Sequence, residues 1–361
     1  MKKEPMLTID AKVIRQNIQI LGDIAEKQGV KMAAVVKGFH NIDGITDVFI
    51  EAGLRQIASS RLSHLEQVKK RHPGAETMAL RIPMLSEVEM LVRSADISLH
   101  SERETLRVLN REAKRQHKTH RVILMRDVGD LREGMIDYQM FIETAKWVEK
   151  ELDSLELYGT GANFTCYGSV IPTPKNLSEL LSETRLIEKE IGRDLEVVSG
   201  GSTSSLPLLI HGGLPQGVNH LRVGEAFLVP YEVLNYWGCP VQGLSNEALT
   251  LSAEIIEIGE KPTHPIGIQG ADGFGNFRRY EDKGTRRRAL LALGVLDVGD
   301  LNKLLPRDKG VKILGGSSDH LIVDIQDSQR QYHLGDCLEF GLRYTSMLFS
   351  TGCPYIAKTM E

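Results

Sequence analysis

The feature that most constrains the fold of this 361-residue sequence is a repeated alternation of short apolar runs with amphipathic segments. Amphipathic stretches rich in Glu, Lys, Arg and Leu separate most of eight apolar runs, which extend over about 230 residues. Unbroken apolar runs of this length are typical of strands buried on both faces of a parallel sheet. The runs cover Met32–Val36, Gln56–Ser59, Thr77–Ile82, Ala95–Leu99, Arg121–Met125, Leu155–Ala162, Glu196–Ser199 and His220–Val223. They predict a (β/α)8 barrel of the TIM type, and an open doubly wound sheet is the competing interpretation.

The two ends of the chain have a different pattern. Leu7–Gly29 is predicted to contain a helix capped by Asp10, because its apolar residues recur at spacings of three and four. After about residue 234, helix-like stretches become rare. The strands predicted there, separated by glycine-rich turns, are Leu249–Ile258, Arg287–Val295 and Lys312–Ile325. We therefore expect a barrel over residues 1–238 and a mostly β C-terminal domain over residues 239–361.

Composition excludes several classes of protein. Lys and Arg number 44 and Asp and Glu number 48, so the net charge of −4 gives no electrostatic reason to expect nucleic acid or an anionic membrane as partner. No apolar run reaches the ~20 residues that a membrane span needs, and no signal-peptide core follows the N-terminus. The four cysteines form no C-x-x-C pair. We therefore expect a cytoplasmic protein without a disulfide scaffold or a metal site.

Chemistry in a (β/α)8 barrel is carried by the C-terminal ends of the strands. Lys37 closes the first buried run; a lysine so placed has a lowered pKa and suits covalent chemistry with an aldehyde, although a lysine that simply reaches solvent also fits. Residues 199–205, Ser-Gly-Gly-Ser-Thr-Ser-Ser, follow the seventh run and predict a phosphate-binding loop, with a merely flexible loop as the alternative. Arg132 and Arg222 lie at two other strand ends. An amine, phosphate donors and a partner for a ring nitrogen are what pyridoxal phosphate requires.

In chain order, the motifs V-V-K-G, D-x-G-x-x-R-x-G, S-G-G-S-T-S-S and R-x-G-E-A resemble those of the alanine racemase-like (fold type III) pyridoxal-phosphate enzymes, in particular the alanine/ornithine racemase branch. The resemblance implies that Lys37 bonds to the cofactor and moves the α-proton on one face of the substrate. It also implies that Arg132 binds the ring hydroxyl and that Arg222 faces the ring nitrogen. The cofactor phosphate is then expected on Gly201, Ser202, Thr203, Ser204, Gly224 and Tyr355.

Arg222 also bears on the reaction. An acid beside the ring nitrogen would keep it protonated, whereas an arginine stays charged and cannot accept a hydrogen bond. The unprotonated ring is a weaker electron sink, which suits racemisation by quick proton return better than decarboxylation. We therefore expect a racemase that uses two-base α-proton transfer on ornithine or a similar basic amino acid. The alternatives are an alanine racemase, a diamino-acid decarboxylase of the same fold, and a non-enzymatic carrier of the cofactor.

Two positions depart from the family's pattern. Val295 stands where the resemblance expects the tyrosine that serves as second base, and Asn163 stands where it expects the histidine that supports this tyrosine. We count Asn163 among the cofactor-binding positions. The candidates for the second base are Cys166 at a strand end, His320 or Asp319 in a loop of the β domain, and Tyr355. A thiol is a competent base near neutral pH if its pKa is lowered.

The remaining expectations concern the substrate and the assembly. The distal ammonium group of a basic amino acid needs an anion, and the candidates are Glu225, Asp319 and Asp297. The resemblance implies a homodimer in which the β domain of one subunit completes the active site of the other. No nucleic acid or membrane partner is expected.

Overall fold

The computed structural model describes residues 5–361, which form two compact units. Ile14–Leu244 form the barrel unit. Ser245–Glu361, together with the described residues before Ile14, form the β unit. Strands and helices are numbered along the chain, and the first element is the strand β1 (Met6–Ile9).

Eight parallel strands close the barrel in the order in which they follow one another along the chain. They are β2 (Lys31–Val35), β3 (Gln56–Ser59), β4 (Glu76–Ala79), β5 (Ile97–His100), β6 (His120–Arg126), β7 (Leu155–Ala162), β8 (Val197–Ser202) and β9 (His220–Val223). The last strand pairs with β2, from Lys31↔His220 to Ala34↔Val223, and so completes the ring. Each of the eight predicted runs contributes a strand, and the predicted (β/α)8 barrel is confirmed.

Helices follow the strands on the outside of the barrel. Along the chain they are α1 (Ala11–Glu26), α2 (Asp43–Glu51), α3 (Leu62–Arg71), α4 (Val88–Ser94), α5 (Arg103–Arg115), α6 (Tyr138–Glu151), α7 (Pro174–Ile191), α8 (Leu206–Ile210) and α9 (Glu225–Leu228). The predicted cap of α1 is confirmed, because Asp10 Oδ1 accepts hydrogen bonds from the backbone nitrogens of Lys12 (2.8 Å) and Val13 (3.1 Å). None of the helices within residues 5–361 is long and apolar enough to cross a membrane.

Apolar side chains from several strands fill the barrel interior. Ala33, Ala58, Met78 and Ile123 belong to one buried cluster. A second buried cluster joins the outer faces of the strands to the helices around them. The barrel is therefore a packed core and not a pore, which confines reactive groups to the strand ends and the loops that follow them.

The β unit is built on one eight-stranded sheet. Besides β1 it contains β10 (Leu249–Pro262), β11 (Thr285–Leu291), β12 (Leu304–Pro306), β13 (Lys312–Gly316), β14 (Leu321–Asp324), β15 (Cys337–Leu342) and β16 (Ala357–Met360), with two helices, α10 (Val295–Val298) and α11 (Tyr344–Gly352). The sheet order is β12-β15-β10-β11-β14-β13, and β1 lies between β10 and β16. The predicted mostly β C-terminal domain is confirmed.

The N-terminal strand explains why the units differ from the predicted ranges of 1–238 and 239–361. β1 pairs antiparallel with β10, from Met6↔Ser252 to Ile9↔Leu249, and pairs parallel with β16. The paired residues are distant in the sequence, so no local sequence pattern predicts these pairings. They place β1 in the β unit, and the barrel unit extends to Leu244.

Two predicted strands of the β unit also differ from the structure. The strand expected to reach Val295 ends at Leu291, and Val295 instead begins α10. The strand expected over Lys312–Ile325 is a hairpin of β13 and β14. Its turn is closed by the backbone nitrogen of Ser317, which donates to the carbonyl of His320 at 2.8 Å.

Candidate active site

Lys37 follows β2 directly and begins a short 3₁₀ turn, Lys37–Phe39. Its neighbours Val36 and Gly38 are buried, and within residues 5–361 no hydrogen bond or ion pair reaches its Nζ. Burial lowers the pKa of this amine, and the nearby guanidinium groups of Arg132 and Arg222 lower it further. Lys37 therefore carries more of the neutral, nucleophilic amine at a given pH than an exposed lysine does.

The two arginines of the site are the ends of a chain of four hydrogen-bonded side chains. Arg132 donates to the carboxylate of Glu133, which also accepts a hydrogen bond from Asn163 Nδ2. Asn163 Oδ1 accepts from Arg222 Nη2 at 2.6 Å. The amide of Asn163 thus uses its donor toward Glu133 and its acceptor toward Arg222, which fixes its orientation.

Arg222, on β9, is a buried cation with only 4% of its surface exposed. Its guanidinium donates to three neutral acceptors: the carbonyl of Ala162 (2.8 Å), Asn163 Oδ1 and Ser199 Oγ. Burial lowers the pKa of Arg222 to about 10. The side chain therefore remains a cation near neutral pH. As a guanidinium group it can donate hydrogen bonds but cannot accept them.

Two aspartates shape the loops around the site. Asp127 Oδ1 accepts from the backbone nitrogens of Gly129 (2.8 Å) and Leu131 (3.1 Å), which folds the loop after β6. Asp130 Oδ2 accepts from the backbone nitrogens of Cys166 (3.2 Å) and Tyr167 (3.1 Å). Asp130 therefore ties the loop after β7 to the loop that carries Arg132.

The thiol of Cys166 lies close enough to Lys37 and Arg132 for their charges to act on it. The residue is exposed, but partial desolvation of the sulfur raises its pKa, and the opposing effect of Arg132 is smaller. Cys166 is therefore a protonated thiol near neutral pH, within electrostatic range of an amine that is held toward its neutral form.

Two glycines of the expected phosphate site lie where a side chain would collide with the protein itself. Gly201 has a φ of 103°, and a Cβ added to it would lie 2.7 Å from Ser205 Oγ and 2.9 Å from Phe164 Cδ2. A Cβ on Gly224 would lie 2.4 Å from the carbonyl oxygen of Val35. Neither position can accept a larger residue without movement of its neighbours, as a close backbone approach requires.

Hydroxyl groups complete this loop. Ser202 ends β8, and Thr203 and Ser204 begin the 3₁₀ turn that leads into α8. Thr203 and Ser204 are buried, and the hydroxyls of Ser202 and Ser204 lie 3.5 Å apart. With Gly201 and Gly224, these residues form a set of backbone and hydroxyl donors suited to a phosphate.

Two of the acids predicted to bind the substrate's ammonium group have buried carboxyls. Glu225 is hydrogen-bonded to Glu232, and burial together with this second carboxyl raises the pKa of Glu225 well above its usual value. No donor within residues 5–361 reaches Glu225 Oε1 or Glu232 Oε2, so the pair is stable when it shares a proton. Asp297 accepts from the backbone nitrogen of Gly294 (2.8 Å) and from the thiol of Cys353 (3.4 Å), so both its oxygens are in use.

The other predicted site residues belong to the β unit and not to the barrel unit that carries Lys37. His320 and Asp319 are exposed in the turn between β13 and β14. The backbone nitrogen of Val295 donates to the carbonyl of Ser317 at 3.1 Å, so the residue at the expected tyrosine position lies beside this turn. Tyr355, between α11 and β16, is 55% exposed.

Sequence reasoning missed the roles of Glu133, Asp127 and Asp130. A glutamate next to an arginine in a loop is common, so nothing in the sequence marked Glu133 as the group between Arg132 and Asn163. Asp127 and Asp130 left a weak signal, because aspartates beside glycines often form turns by accepting from the backbone two residues on. Their cross-loop contacts could be seen only in the fold.

The barrel residues fit pyridoxal phosphate on three counts. A half-buried amine without a partner among the described residues is present for its aldehyde. Glycines that have no space for a Cβ border a set of hydroxyls for its phosphate, and a buried cation is present for its ring nitrogen. These features come from three different strand ends, those of β2, β8 and β9, which the barrel brings to one mouth.

Comparison with known proteins agrees with this geometry. The family model for the N-terminal domain of alanine racemase matches residues 9–231. This chain belongs to the alanine racemase family. Among its relatives within the family, an ornithine racemase from Acetoanaerobium sticklandii is 42% identical over 356 residues, 99% of each chain. A lysine racemase from Thermotoga maritima is 32% identical over 363 residues, 99% of this chain and 98% of the relative.

Solved structures support the fold of this alanine racemase family member along its whole length. The alanine racemase of Streptomyces lavendulae aligns with a TM-score of 0.74 at 17% identity, covering 100% of this chain and 98% of that one. The D-threonine aldolase of Filomicrobium marinum aligns with a TM-score of 0.71 at 14% identity, covering 97% and 89%. Taken together, the comparisons confirm the predicted fold, the pyridoxal-phosphate cofactor and amino-acid racemase activity.

Proposed function

We propose that this racemase acts on a basic amino acid, with ornithine as the first substrate to test and lysine as the second. Support comes from the two relatives, an ornithine racemase at 42% identity and a lysine racemase at 32%. Ornithine and lysine both carry an ammonium group at the end of an unbranched side chain, which alanine lacks. Of the predicted anions, Asp319 is exposed, whereas Glu225 favours a shared proton. Asp319 is therefore the better candidate to bind this ammonium group.

The observation that carries the proposal is the half-buried amine of Lys37 at the end of β2, which has no hydrogen-bond or ion-pair partner within residues 5–361. A neutral Nζ can accept the α-proton of the substrate, and the neighbouring guanidinium groups favour its return because they destabilise the ammonium form. Pyridoxal phosphate, when bound, supplies the electron sink that makes this proton acidic. Arg132 and Arg222 would hold its ring and residues 201–204 its phosphate.

We propose Cys166 as the group that moves the proton on the other face. Its raised pKa keeps a proton on Sγ near neutral pH, while Lys37 Nζ is held toward its empty state. Lys37 can then take a proton from one face of the substrate while Cys166 delivers one to the other face, and racemisation requires both transfers. Cys166→Ala should lower kcat by at least about 100-fold, within the range of general acid–base catalysis, while Cys166→Ser should retain cofactor binding. Wild-type turnover by Cys166→Ala would refute this role.

We also propose a cytoplasmic homodimer in which His320, Asp319 and Tyr355 of one subunit complete the site of the other. The imidazole, carboxylate and phenol of these residues belong to the β unit, where all three residues are exposed. Mixing subunits tests the idea. If Lys37→Ala and His320→Ala are each inactive, hybrid dimers recover activity, because one of their two sites combines an intact Lys37 with an intact His320. Failure of two inactive variants to complement would refute shared sites.

Deuterium incorporation from solvent tests the function as a whole. The holoenzyme should exchange the α-proton of L- and D-ornithine, and of lysine more slowly, with little exchange in alanine. Lys37→Ala should abolish exchange. Release of carbon dioxide from L-ornithine would establish the decarboxylase alternative, and cofactor binding without exchange in any amino acid would establish the carrier.

A further inference from the structure

A column of hydrogen-bonded side chains runs through the barrel interior from Arg222 toward the N-terminal end of the strands. The strand register places its members side by side, Ser199 opposite His220 and Gln56 opposite Glu76. Arg222 Nη1 bonds to Ser199 Oγ, Ser199 Oγ to His220 Nδ1 at 2.7 Å, His220 Nε2 to Gln56 Oε1 at 2.6 Å, and Gln56 Nε2 to Glu76 Oε2. We call these five side chains the Arg222 column.

Each bond in the Arg222 column has only one possible direction. Arginine can only donate, so Ser199 Oγ accepts from Arg222, and the carboxylate of Glu76 can only accept, so Gln56 turns Nε2 toward it and Oε1 toward His220. Burial, with the positive charge of Arg222, lowers the pKa of His220 to about 3, so its ring is neutral. A neutral ring that donates from Nε2 to the carbonyl of Gln56 accepts at Nδ1, so Ser199 gives its own proton to that atom. The orientation of Gln56 and the tautomer of His220 are therefore fixed by the carboxylate of Glu76.

The lower end of the Arg222 column is anchored by charge. Glu76 accepts from Gln56 with Oε2 and lies 2.6 Å from Arg121 Nη2 with Oε1. Arg121 in turn lies over the ring of Tyr158, 4.8 Å from its centroid. The column therefore ends on groups held by two further strands, and its upper members have little freedom to change partners.

We propose that Ser199, His220 and Gln56 are positioning residues that hold the guanidinium of Arg222 in place for the cofactor ring. The inference rests on the proposed role of Arg222 at the ring nitrogen. The other acceptors of this guanidinium lie together at the end of β7 and both take hydrogen bonds from Nη2, so within residues 5–361 Ser199 is the side chain that holds Nη1. Loss of the proton acceptor beneath Ser199 frees this hydroxyl to turn and leaves Arg222 able to rotate away from the ring.

Substitutions of His220 test the inference against a matched control elsewhere in the barrel. His220→Leu removes both bonds of the ring, and His220→Asn keeps an acceptor near Nδ1. The control is His120→Leu. His120 is equally buried with a pKa lowered to about 3, and its Nε2 bonds to Ser98 Oγ at 2.7 Å, outside the Arg222 column. Gln56→Met, at a half-buried position, serves if His220→Leu does not fold.

Three measurements separate positioning from general damage: the visible absorption of bound pyridoxal phosphate as a function of pH, kcat and KM, and the unfolding temperature of the cofactor-free protein. His220→Leu should shift the absorption titration and lower kcat about 10- to 100-fold, as expected for small misplacements remote from the chemistry, with a smaller change in KM. His220→Asn should recover much of both. His120→Leu should lose stability but keep the wild-type absorption titration.

Two results would overturn the inference. One is a wild-type absorption titration and kcat in His220→Leu and Gln56→Met, and the other is an equal spectral shift in His120→Leu. Arg222→Lys identifies which assumption has failed. If Arg222→Lys shifts the titration and His220→Leu does not, the Arg222 column is wrong and the role of Arg222 stands. If Arg222→Lys leaves the titration unchanged, the role of Arg222 fails and the inference fails with it.

Discussion

Gly201→Ala tests the phosphate site, because this glycine combines two constraints, a left-handed φ and close neighbours for an added Cβ, that Gly192 and Gly200 carry singly. Its φ of 103° is left-handed, and an added Cβ would lie 2.7 Å from a hydroxyl oxygen and 2.9 Å from a ring carbon of buried Phe164. Gly192, with a φ of 78°, has no atom within 4 Å of an added Cβ. Gly200 needs no left-handed backbone, but its Cβ would lie 2.4 Å from a side-chain carbon. Gly192 thus isolates backbone strain, and Gly200 isolates crowding.

The magnitude for Gly201→Ala follows from its two controls. Left-handed backbone costs an L-residue about 1–2 kcal/mol, which is the loss of unfolding free energy expected for Gly192→Ala. Overpacking a buried position costs about 1–3 kcal/mol, which is the loss expected for Gly200→Ala. Gly201→Ala should therefore lose about 2–5 kcal/mol. At about 2–4 °C for each kcal/mol in a unit of this size, its unfolding temperature should fall by about 4–20 °C.

Thermal unfolding of the cofactor-free variants measures this order of stability. Equilibrium binding then compares pyridoxal phosphate with pyridoxal, which lacks the phosphate. Gly201→Ala should weaken pyridoxal phosphate by at least about tenfold, equivalent to about 1.4 kcal/mol, and weaken pyridoxal much less. If Gly201→Ala unfolds at the temperature of Gly192→Ala, the crowding argument is refuted. Equal losses for the two ligands would refute the placement of the phosphate at this loop.

Three further substitutions test the electrostatics and loops of the site. The raised pKa of Glu225 means that its contribution to the free energy of unfolding is greatest at low pH and is lost as pH rises through that pKa. Glu232→Gln should reduce this loss and stabilise the protein at pH 8 by about 1–3 kcal/mol relative to wild type, so an unchanged slope between pH 5 and 8 in urea unfolding would contradict it. Arg132→Gln removes a cation that lowers the pKa of Lys37, so the pH midpoint for labelling this amine in the cofactor-free protein should rise, and a lower midpoint would count against the assignment. Asp130→Ala frees the backbone donors of residues 166, 167 and 170, so their amide hydrogen exchange should accelerate while exchange in α7 stays unchanged. Protection of these amides equal to that in the wild type would show that other contacts hold this loop.

The barrel could be predicted because its strands are encoded locally. Gln56–Ser59, Leu155–Ala162 and His220–Val223 are strands with the bounds that their apolar runs predicted. A strand covered on both faces must be apolar at every position, and this leaves a signal within a few residues. The strand ends could therefore be located, and with them Lys37 and Arg222, before any tertiary contact was known.

The β unit and many hydrogen bonds of the site depend on contacts between residues that are distant in the sequence. Such contacts produce little local signal in the sequence. β1 finds its partner in β10, more than 200 positions away, and a four-residue strand carries no mark of that pairing. Glu133 and His220 illustrate the same limit for side chains. Glu133 is an ordinary polar residue beside an arginine, and His220 lies two residues before one, until the closed barrel brings Asn163 to Glu133 and Ser199 to His220.

Asn163 shows why the second proton-transfer group of this racemase must be sought outside the chain of residues that joins the two arginines. Its amide accepts from Arg222 and donates to Glu133, as a neutral histidine could, but an amide does not titrate. Neither arginine gives up a proton near neutral pH. Lys37 and a group on the opposite face must then carry the pH dependence of proton transfer by themselves. With Val295 at the expected tyrosine position, Cys166 and His320 are the titratable groups proposed for that face, and their thiol and imidazole predict different pH profiles. Loss of the alkaline limb of the kcat profile in Cys166→Ser, with the profile of His320→Gln unchanged, would assign the proton to the thiol; the converse result would assign it to the imidazole.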